Sequence, residues 1–184
     1  MSITKDFYTV FVVTNEGKPV KKMEECVFAL NHGEEYNIKI LNHHKTLRAN
    51  ASISVDGKNI GYFRVECDSL IMVERPCSQE RRLTFYKRGT KEAQKGGLSD
   101  NNPEQGILRV TIEQEEPVRA AELFLGIKGD LKCDSADCMA GGTALGRSSS
   151  QRFSSASSMK TKNKVIVIRA LMVVNPIVHD IVPL

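Results

Sequence analysis

Tryptophan is absent from this 184-residue sequence, and aromatic residues of all kinds make up only 6% of it. Carbohydrate-binding β-sandwiches stack sugars on exposed aromatic rings, so this composition counts against such a module. The catalytic motifs G-x-S-x-G and H-E-x-x-H and the phosphate-binding P-loop are absent as well. The sequence therefore gives no indication of catalysis, and we expect a non-enzymatic protein.

Long uninterrupted apolar runs are also missing. The most apolar stretch, residues 165–182, contains five residues that do not suit a membrane span: Arg169, Asn175, Pro176, His179 and Asp180. The N-terminus shows no basic region followed by a long apolar segment and a small-residue cleavage site. We therefore expect a protein that neither spans a membrane nor is secreted through a cleaved leader.

Neither sign of charge is in large excess. The formal net charge is +4 and the isoelectric point is near 8.8, which we interpret as an ordinary solvated surface rather than the mark of an anionic partner. Hydrophobic residues make up 41% of the chain and charged residues 26%, as in soluble globular proteins. The length corresponds to one domain.

The five cysteines are Cys26, Cys67, Cys77, Cys133 and Cys138. Because their number is odd and no secretion leader is present, we expect free thiols in a reducing compartment. Cys26 and Cys67 lie in strand-like apolar contexts and are predicted to be core residues. The spacing of Cys133 and Cys138 suits a zinc ion or a disulfide, and with His179 they could form an enzyme site. Since no second Cys/His pair follows, we interpret them as loop thiols and expect no metal and no cofactor.

Apolar residues alternate with polar ones through the middle of the chain, as they do in half-buried strands. Residues 36–40 show this alternation clearly. Residues 51–65 predict a β-hairpin, in which Asp56 and Gly57 form a two-residue type I′ turn that requires positive φ at both positions. Gly61 predicts a bulge or the close approach of a neighbouring strand.

Further strands are indicated by short apolar or β-branched runs. They lie at residues 7–13, 26–30, 70–73, 83–86, 106–112, 165–168 and 171–174. The continuous run at 70–73 predicts a buried strand, and the late strand at 165–174 is expected to pair with an early one. Residues 90–95 predict a single helical turn capped by Thr90. About eight to ten strands with short connections predict an all-β fold, a single-domain antiparallel β-sandwich that is jelly-roll-like.

Two segments depart from the strand pattern. Residues 126–164 are rich in Gly, Ser, Asp and Lys and predict a long flexible excursion loop, in which residues 141–146 form a flexible turn. Residues 147–164, which include a serine-rich run at 148–158, could contact an acidic partner or be phosphorylated at their serines. Residues 175–184 form an apolar C-terminal arm that is too short to build a core of its own.

A basic group surrounds two aromatic residues near one predicted strand. Its members are Arg75, Arg81, Arg82, Lys87 and Arg88, next to Phe85 and Tyr86. Nucleic-acid binding uses basic groups with stacking aromatics, but alternation places Phe85 inside and leaves only Tyr86 outside. We therefore favour a solvated basic edge strand over nucleic-acid binding. Arg81, Arg82 and Tyr86 are candidate contacts to a protein partner.

The C-terminal arm supplies the other candidate partner-binding residues: Ile177, Val178, Ile181, Val182 and Leu184. A strand-like arm beyond the last core strand can lie along the sheet edge of a neighbouring molecule. It can equally fold back and cover its own sheet.

As a pattern of strands, most of the chain resembles the single jelly-roll virion proteins of large DNA viruses, of the penton or minor capsid type. The features that carry the resemblance are the helix-poor sandwich, the long loops and the terminal arm. The resemblance implies a structural or assembly protein, located in the cytoplasm or the virion, that forms a homo-oligomer or docks onto partner proteins. The alternative is a β-sandwich module that binds a carbohydrate or an anionic partner.

Overall fold

Two six-stranded β-sheets make up most of the chain. The computed structural model describes residues 2–99, 101–117 and 141–176. The strands are β1 (Ser2–Lys5), β2 (Tyr8–Thr14), β3 (Lys21–Glu24), β4 (Val27–Leu30), β5 (Glu34–Asn42), β6 (Ala49–Val55), β7 (Lys58–Val65), β8 (Ser69–Val73), β9 (Arg81–Lys87), β10 (Ile107–Glu115), β11 (Gly141–Ser148) and β12 (Thr161–Val174). One short helix, α1 (Lys91–Lys95), follows β9 and is capped by Thr90 and Gly96, as the sequence predicts.

The first sheet has the strand order β1-β2-β5-β9-β11, with β8 paired to β5, and the second has the order β3-β4-β12-β10-β6-β7. This arrangement confirms the prediction of an all-β sandwich. Among the described pairs, all are antiparallel except β4 with β12, which is parallel. The late strand β12 thus pairs with the early strand β4, as predicted. The pairing is parallel, which requires a long connection, and most of the chain lies between the two strands.

The sheets meet across a core of inward-facing apolar side chains. Its fully buried members include Tyr36, Ile38 and Ile40 from β5 and Leu108, Val110 and Ile112 from β10. Burying one such aliphatic side chain contributes about 1.5–3 kcal/mol, so alternation along these strands decides which face packs inward. Cys26 belongs to the core as predicted. Cys67 is only half-buried, because it lies just beyond the end of β7, so the prediction of a core position is wrong for it.

The hairpin formed by β6 and β7 has the predicted turn. Asp56 and Gly57 have φ values of 53° and 75°, as a type I′ turn requires. The pairing register shifts opposite Gly61, which confirms the predicted irregularity. A Cβ atom on Gly61 would lie 2.5 Å from the sulfur of Cys77, so only glycine allows this approach.

Two predictions about individual segments are wrong. Strand β8 is not fully buried: the side chains of Leu70 and Met72 are 48% and 39% exposed, because alternation turns them away from the core. Residues 141–148 do not belong to a flexible loop but form β11, which pairs with β9. Glycine is required there, since a Cβ on Gly141 would lie 2.0 Å from the ring of Phe85.

Candidate functional site

The second sheet leaves one side of its longest strand unpaired. Strand β12 spans 14 residues, and β10 accompanies it along one side from Thr161 to Leu171. On the other side, β4 pairs only with residues 171–174. In the part of the chain that the structure describes, no strand covers residues 161–170 on that side.

The backbone groups of this open edge point away from the sheet. Leu171 donates its amide to the carbonyl of Cys26, on the β4 side. In an antiparallel strand, alternate residues direct both their N–H and C=O groups to the same side, so Val167 and Arg169 face the open edge. The Nζ of Lys5 donates to the carbonyl of Val167 at 3.2 Å, as this orientation requires.

The side chains of β12 divide between core and solvent. Ile166, Ile168 and Ala170 point into the core. Val165 and Val167 are 46% and 36% exposed on the outer face, in contrast. The edge of residues 165–169 therefore combines unpaired backbone groups with exposed β-branched side chains, the combination that favours addition of another strand.

Lysines flank the beginning of this edge. Lys160 and Lys164 are exposed, and Lys162 donates to Oε1 of Gln114 at 2.9 Å. Lysine on an edge strand opposes unspecific pairing. The part of the edge that is open to a partner is therefore the apolar part, residues 165–169.

The apolar arm begins at the opposite end of β12. Asn175 donates its amide to the carbonyl of Leu30, so the chain continues along β4 before it leaves the sheet. The predicted partner-binding residues of the arm lie outside the described residues: Ile177, Val178, Ile181, Val182 and Leu184. What the structure places is the start of the arm, at Pro176, and the edge of β12.

Arg81 and Tyr86, the predicted contacts on β9, line a cleft of about 520 Å³ beside α1. The Nε of Arg81 donates to the carbonyl of Gly146 at 2.9 Å. The ring of Tyr86 meets His32 edge-on, with the ring centroids 5.6 Å apart. Lys58 and Lys95 also line the cleft, so three cationic side chains converge on it.

Arg82 does not join this cleft. Its Nη2 lies 2.8 Å from Oε2 of Glu74, and both side chains are 17% exposed. Arg75 is buried and donates to the carbonyls of Pro76, Gln79 and Gln151. The interpretation of this region as a solvated basic edge strand is therefore wrong.

Strand β9 is not an edge strand at all, because it lies between β5 and β11. Sequence reasoning missed this position, since β11 carries too many glycines to be recognised as a strand by its residue preferences. The guanidinium of Arg75 also stacks on the ring of Phe153, 4.4 Å from its centroid.

A buried carboxylate ties the two sheets together next to the cleft. Asp56 accepts hydrogen bonds from the backbone amides of Gly106, at 2.6 Å, and Thr143, at 2.5 Å. Burial raises the pKa of this carboxyl group to about 6, against the opposing effect of the two amides. The Thr143 hydroxyl also bonds the hydroxyl of Tyr36, at 2.6 Å. The sequence identifies Asp56 only as a turn residue, because both of its donors come from distant segments.

The described residues contain no group of three or more His, Cys, Asp or Glu side chains arranged to hold a metal ion. Cys133, Cys138 and His179, which the sequence places in a possible metal or enzyme site, lie outside the described residues. No helix in the described ranges has the length and apolar character needed to cross a membrane.

Comparison with known proteins gives no relative from which a role could be transferred. No protein-family model matches the chain, and no curated protein and no solved structure is significantly similar to it. The interpretation of function therefore depends on the geometry of the β12 edge and of the cleft.

Proposed function

We propose that this chain is a non-enzymatic assembly protein that self-associates by strand addition. In this arrangement, residues 177–184 of one copy pair with the open edge of β12 in a second copy. The observation that carries the proposal is the edge at residues 165–169, where backbone groups point outward beside the exposed Val165 and Val167.

The reach of the arm favours a second copy over its own sheet. Arg169 lies six residues before Asn175, about 20 Å along an extended strand, and Val165 lies about 33 Å away. An eight-residue segment spans at most about 26–29 Å. Residues 177–184 can therefore reach Arg169 but not Val165, so they cannot cover the whole open edge of their own β12, whereas the edge of a neighbouring molecule imposes no such limit.

The energies favour a reciprocal dimer. Val165 and Arg169 each offer one donor and one acceptor, and Val167 offers only its amide because Lys5 already bonds its carbonyl. A hydrogen bond contributes a net of about 0.5–1.5 kcal/mol. Association costs about 4–15 kcal/mol in lost freedom of motion. One arm on one edge is therefore marginal, and an exchange of two arms about a twofold axis doubles the contacts and buries both apolar arms.

The same association would suit a virion component, as the sequence resemblance implies. The described strands number twelve, against eight in a jelly roll. The strand order therefore does not support a capsid role. The proposal that the protein is a capsid component, located in the cytoplasm or the virion, is supported by the exposed edge and the apolar arm.

Light scattering after size-exclusion chromatography tests the assembly. The full chain is expected to be a dimer, and a version that lacks residues 177–184 a monomer. Val167→Pro removes an amide donor from the open edge without removing one from the β10 ladder, because Val167 faces outward. It is expected to be monomeric.

Val167→Thr is the matched control, since it keeps the amide and the β-branched shape. It is expected to dimerise as the unmodified chain does. A full chain that stays monomeric over a wide concentration range, or a dimer that survives loss of the arm, would contradict the proposal.

A second candidate function, binding of an anionic ligand, is favoured by the cleft beside α1. Lys58, Arg81 and Lys95 line it, whereas Glu92 is the only acidic lining residue among those the structure describes. Within the described residues, none of the three cations forms an ion pair. A volume of about 520 Å³ lies in the range of small-molecule sites.

Calorimetry with inorganic pyrophosphate tests this second candidate. Binding is expected for the unmodified chain and should be weakened about tenfold or more by Arg81→Gln, because a charge-assisted hydrogen bond is lost. Arg169→Gln, which removes an exposed cation from the other sheet, is the control and should leave binding unchanged. If no heat is detected, or if both variants bind equally well, the cleft is not an anion site.

A further inference from the structure

The serine-rich segment contains two equivalent patterns in which an arginine stands three residues before a serine. In the first, Arg147 precedes Ser150, and in the second, Arg152 precedes Ser155. Kinases that recognise basic residues read such charge patterns in their substrates. The sequence gives no reason to prefer one serine over the other.

Tertiary contacts hold residues of the first pattern, Arg147 and Ser149, against the rest of the fold. Arg147 is engaged by Glu35, with its Nε and Nη2 each donating to a carboxylate oxygen at 2.9 Å. Ser149 is 8% exposed, and its amide donates to the carbonyl of Glu80 at 2.8 Å. Its hydroxyl donates to Glu74 at 3.0 Å. Ser150 is itself exposed, as is 77% of the Arg147 side chain, but that arginine is already paired and the preceding residue, Ser149, is already held.

The second pattern is accessible. Arg152 is exposed, and no carboxylate among the described residues forms an ion pair with it. Residues 154–158 are exposed and form neither helix nor strand. An extended, exposed segment is what a kinase substrate groove accepts, because the backbone has no hydrogen-bond ladder to give up.

The groove beside this segment is suited to receive a phosphate. It measures about 710 Å³ and is lined by Arg48, Arg64 and Arg152 together with Ser155, and by one carboxylate, Glu66. Arg48 is neutralised by Glu115, whose oxygen lies 2.5 Å from its Nη2. Arg64 donates only to neutral acceptors, Asn50 Oδ1 and the carbonyl of Ser157, both at 2.8 Å. Arg64 and Arg152 are therefore the cations that remain for an added anion.

We propose that Ser155 is a phosphorylation site for a serine/threonine kinase that recognises basic residues, and that Arg64 binds the phosphate once it is in place. The Oγ of Ser155 attacks the γ-phosphorus of ATP, and the bond from that phosphorus to the β–γ bridging oxygen breaks. ADP leaves with that oxygen, and the hydroxyl proton passes to the aspartate base of the kinase. The product carries a charge of about −1.5 to −2 at this position.

Mass-spectrometric mapping tests the choice of serine. The folded full chain is incubated with Mg-ATP and the catalytic subunit of a basic-directed kinase. Phosphate is expected on Ser155 in at least about tenfold excess over Ser150, because modification of Ser150 requires local opening of pinned contacts. After denaturation both serines should be modified. Equal modification of the two serines in the folded chain, or no phosphate on Ser155, overturns the assignment.

Glu35→Gln tests whether the contact between Glu35 and Arg147 protects Ser150 from the kinase. It weakens the engagement of Arg147, so the yield on Ser150 is expected to rise while the yield on Ser155 stays constant. If the ratio of phosphate on Ser155 to phosphate on Ser150 does not change, tertiary contacts do not direct the kinase, and the structural preference for Ser155 is overturned.

Thermal melting tests whether Arg64 binds the phosphate on Ser155. Phosphorylation of Ser155 is expected to raise the melting temperature, since the phosphate gains charge-assisted hydrogen bonds. Arg64→Gln should abolish this increase, and Lys21→Gln, a control that removes an exposed cation from β3, should retain it. A shift that survives Arg64→Gln removes Arg64 from the proposal.

Discussion

Asp56 is expected to make the protein less stable as the pH rises from about 4 to about 7. The carboxylate is 3% exposed and joins the hairpin turn of one sheet to β11 of the other through Thr143. Two effects compete there. Burial disfavours the charged form and raises the pKa, whereas the amide donors of Gly106 and Thr143 favour the charged form.

The size of the effect follows from the two pKa values. The pKa of the carboxyl group rises from 3.8 in the unfolded chain to about 6 in the folded one, so the folded state binds the proton more tightly. The resulting stabilisation is complete below pH 3.8 and is lost as the pH rises through about 6. A difference of about two pH units corresponds to about 3 kcal/mol, which is a large part of the ~5–15 kcal/mol that stabilises a typical domain.

Urea denaturation at several pH values measures this effect, with Asp56→Asn as the comparison. The variant cannot titrate at this position, so the difference in unfolding free energy between the two proteins isolates Asp56 from every other carboxylate. Between pH 4 and pH 7, the unfolding free energy of the unmodified chain is expected to fall by about 3 kcal/mol relative to that of Asp56→Asn. With a urea slope of about 1–3 kcal/mol/M, the midpoint should shift by about 1–3 M.

The sign of the measured trend decides between the two effects. If the unmodified chain instead gains stability over Asp56→Asn as the pH rises, the two amide hydrogen bonds outweigh desolvation and the reasoning is refuted. A difference that does not depend on pH would show that Asp56 titrates alike in the folded and unfolded chains.

Three further predictions concern single side chains. Gly141→Ala should destabilise the chain by about 1–3 kcal/mol in chemical denaturation, because the new Cβ meets the Phe85 ring, and Phe85→Leu in the same chain should restore part of the loss. Arg75→Met should speed tryptic cleavage after Arg152, because the carbonyl of the preceding residue loses its donors, whereas an Arg81→Met control should be cleaved there at the rate of the unmodified chain. Glu115→Gln should flatten the acid limb of the stability curve. The Arg48 guanidinium holds the pKa of Glu115 at about 2, so its stabilising contribution is present above pH 4.5 and is lost as the pH falls towards 2.

The positions of most strands follow from the sequence because the signals that specify them are local. Alternation of side chains identifies the buried faces of β5 and β10, and positive φ at Asp56 and Gly57 follows from the turn that joins two adjacent strands. The cap of α1 at Thr90 is likewise a matter of neighbouring residues. Such features need no information about which distant segment lies alongside.

The candidate sites could not be predicted in the same way. The two basic-serine patterns look alike until Glu35 and Glu74 are seen to hold only the first. Arg75 belongs to a basic run in sequence, yet its side chain is buried and donates to backbone carbonyls, one of which belongs to the distant Gln151. Local charge patterns do not reveal these contacts, because the partners lie as far as 112 residues away along the chain.

The sequence by itself determined that this protein is a helix-poor β-sandwich, where the Asp56–Gly57 turn falls and which side chains of β5 and β10 face the core. Only the tertiary structure decided that β4 pairs in parallel with the end of β12, that β9 is covered by a glycine-rich strand and that residues 165–169 are left with an open edge. The physical reason is that hydrophobic alternation fixes the face of a strand but not its neighbour. The neighbour depends on register and close packing between segments that are far apart in the chain.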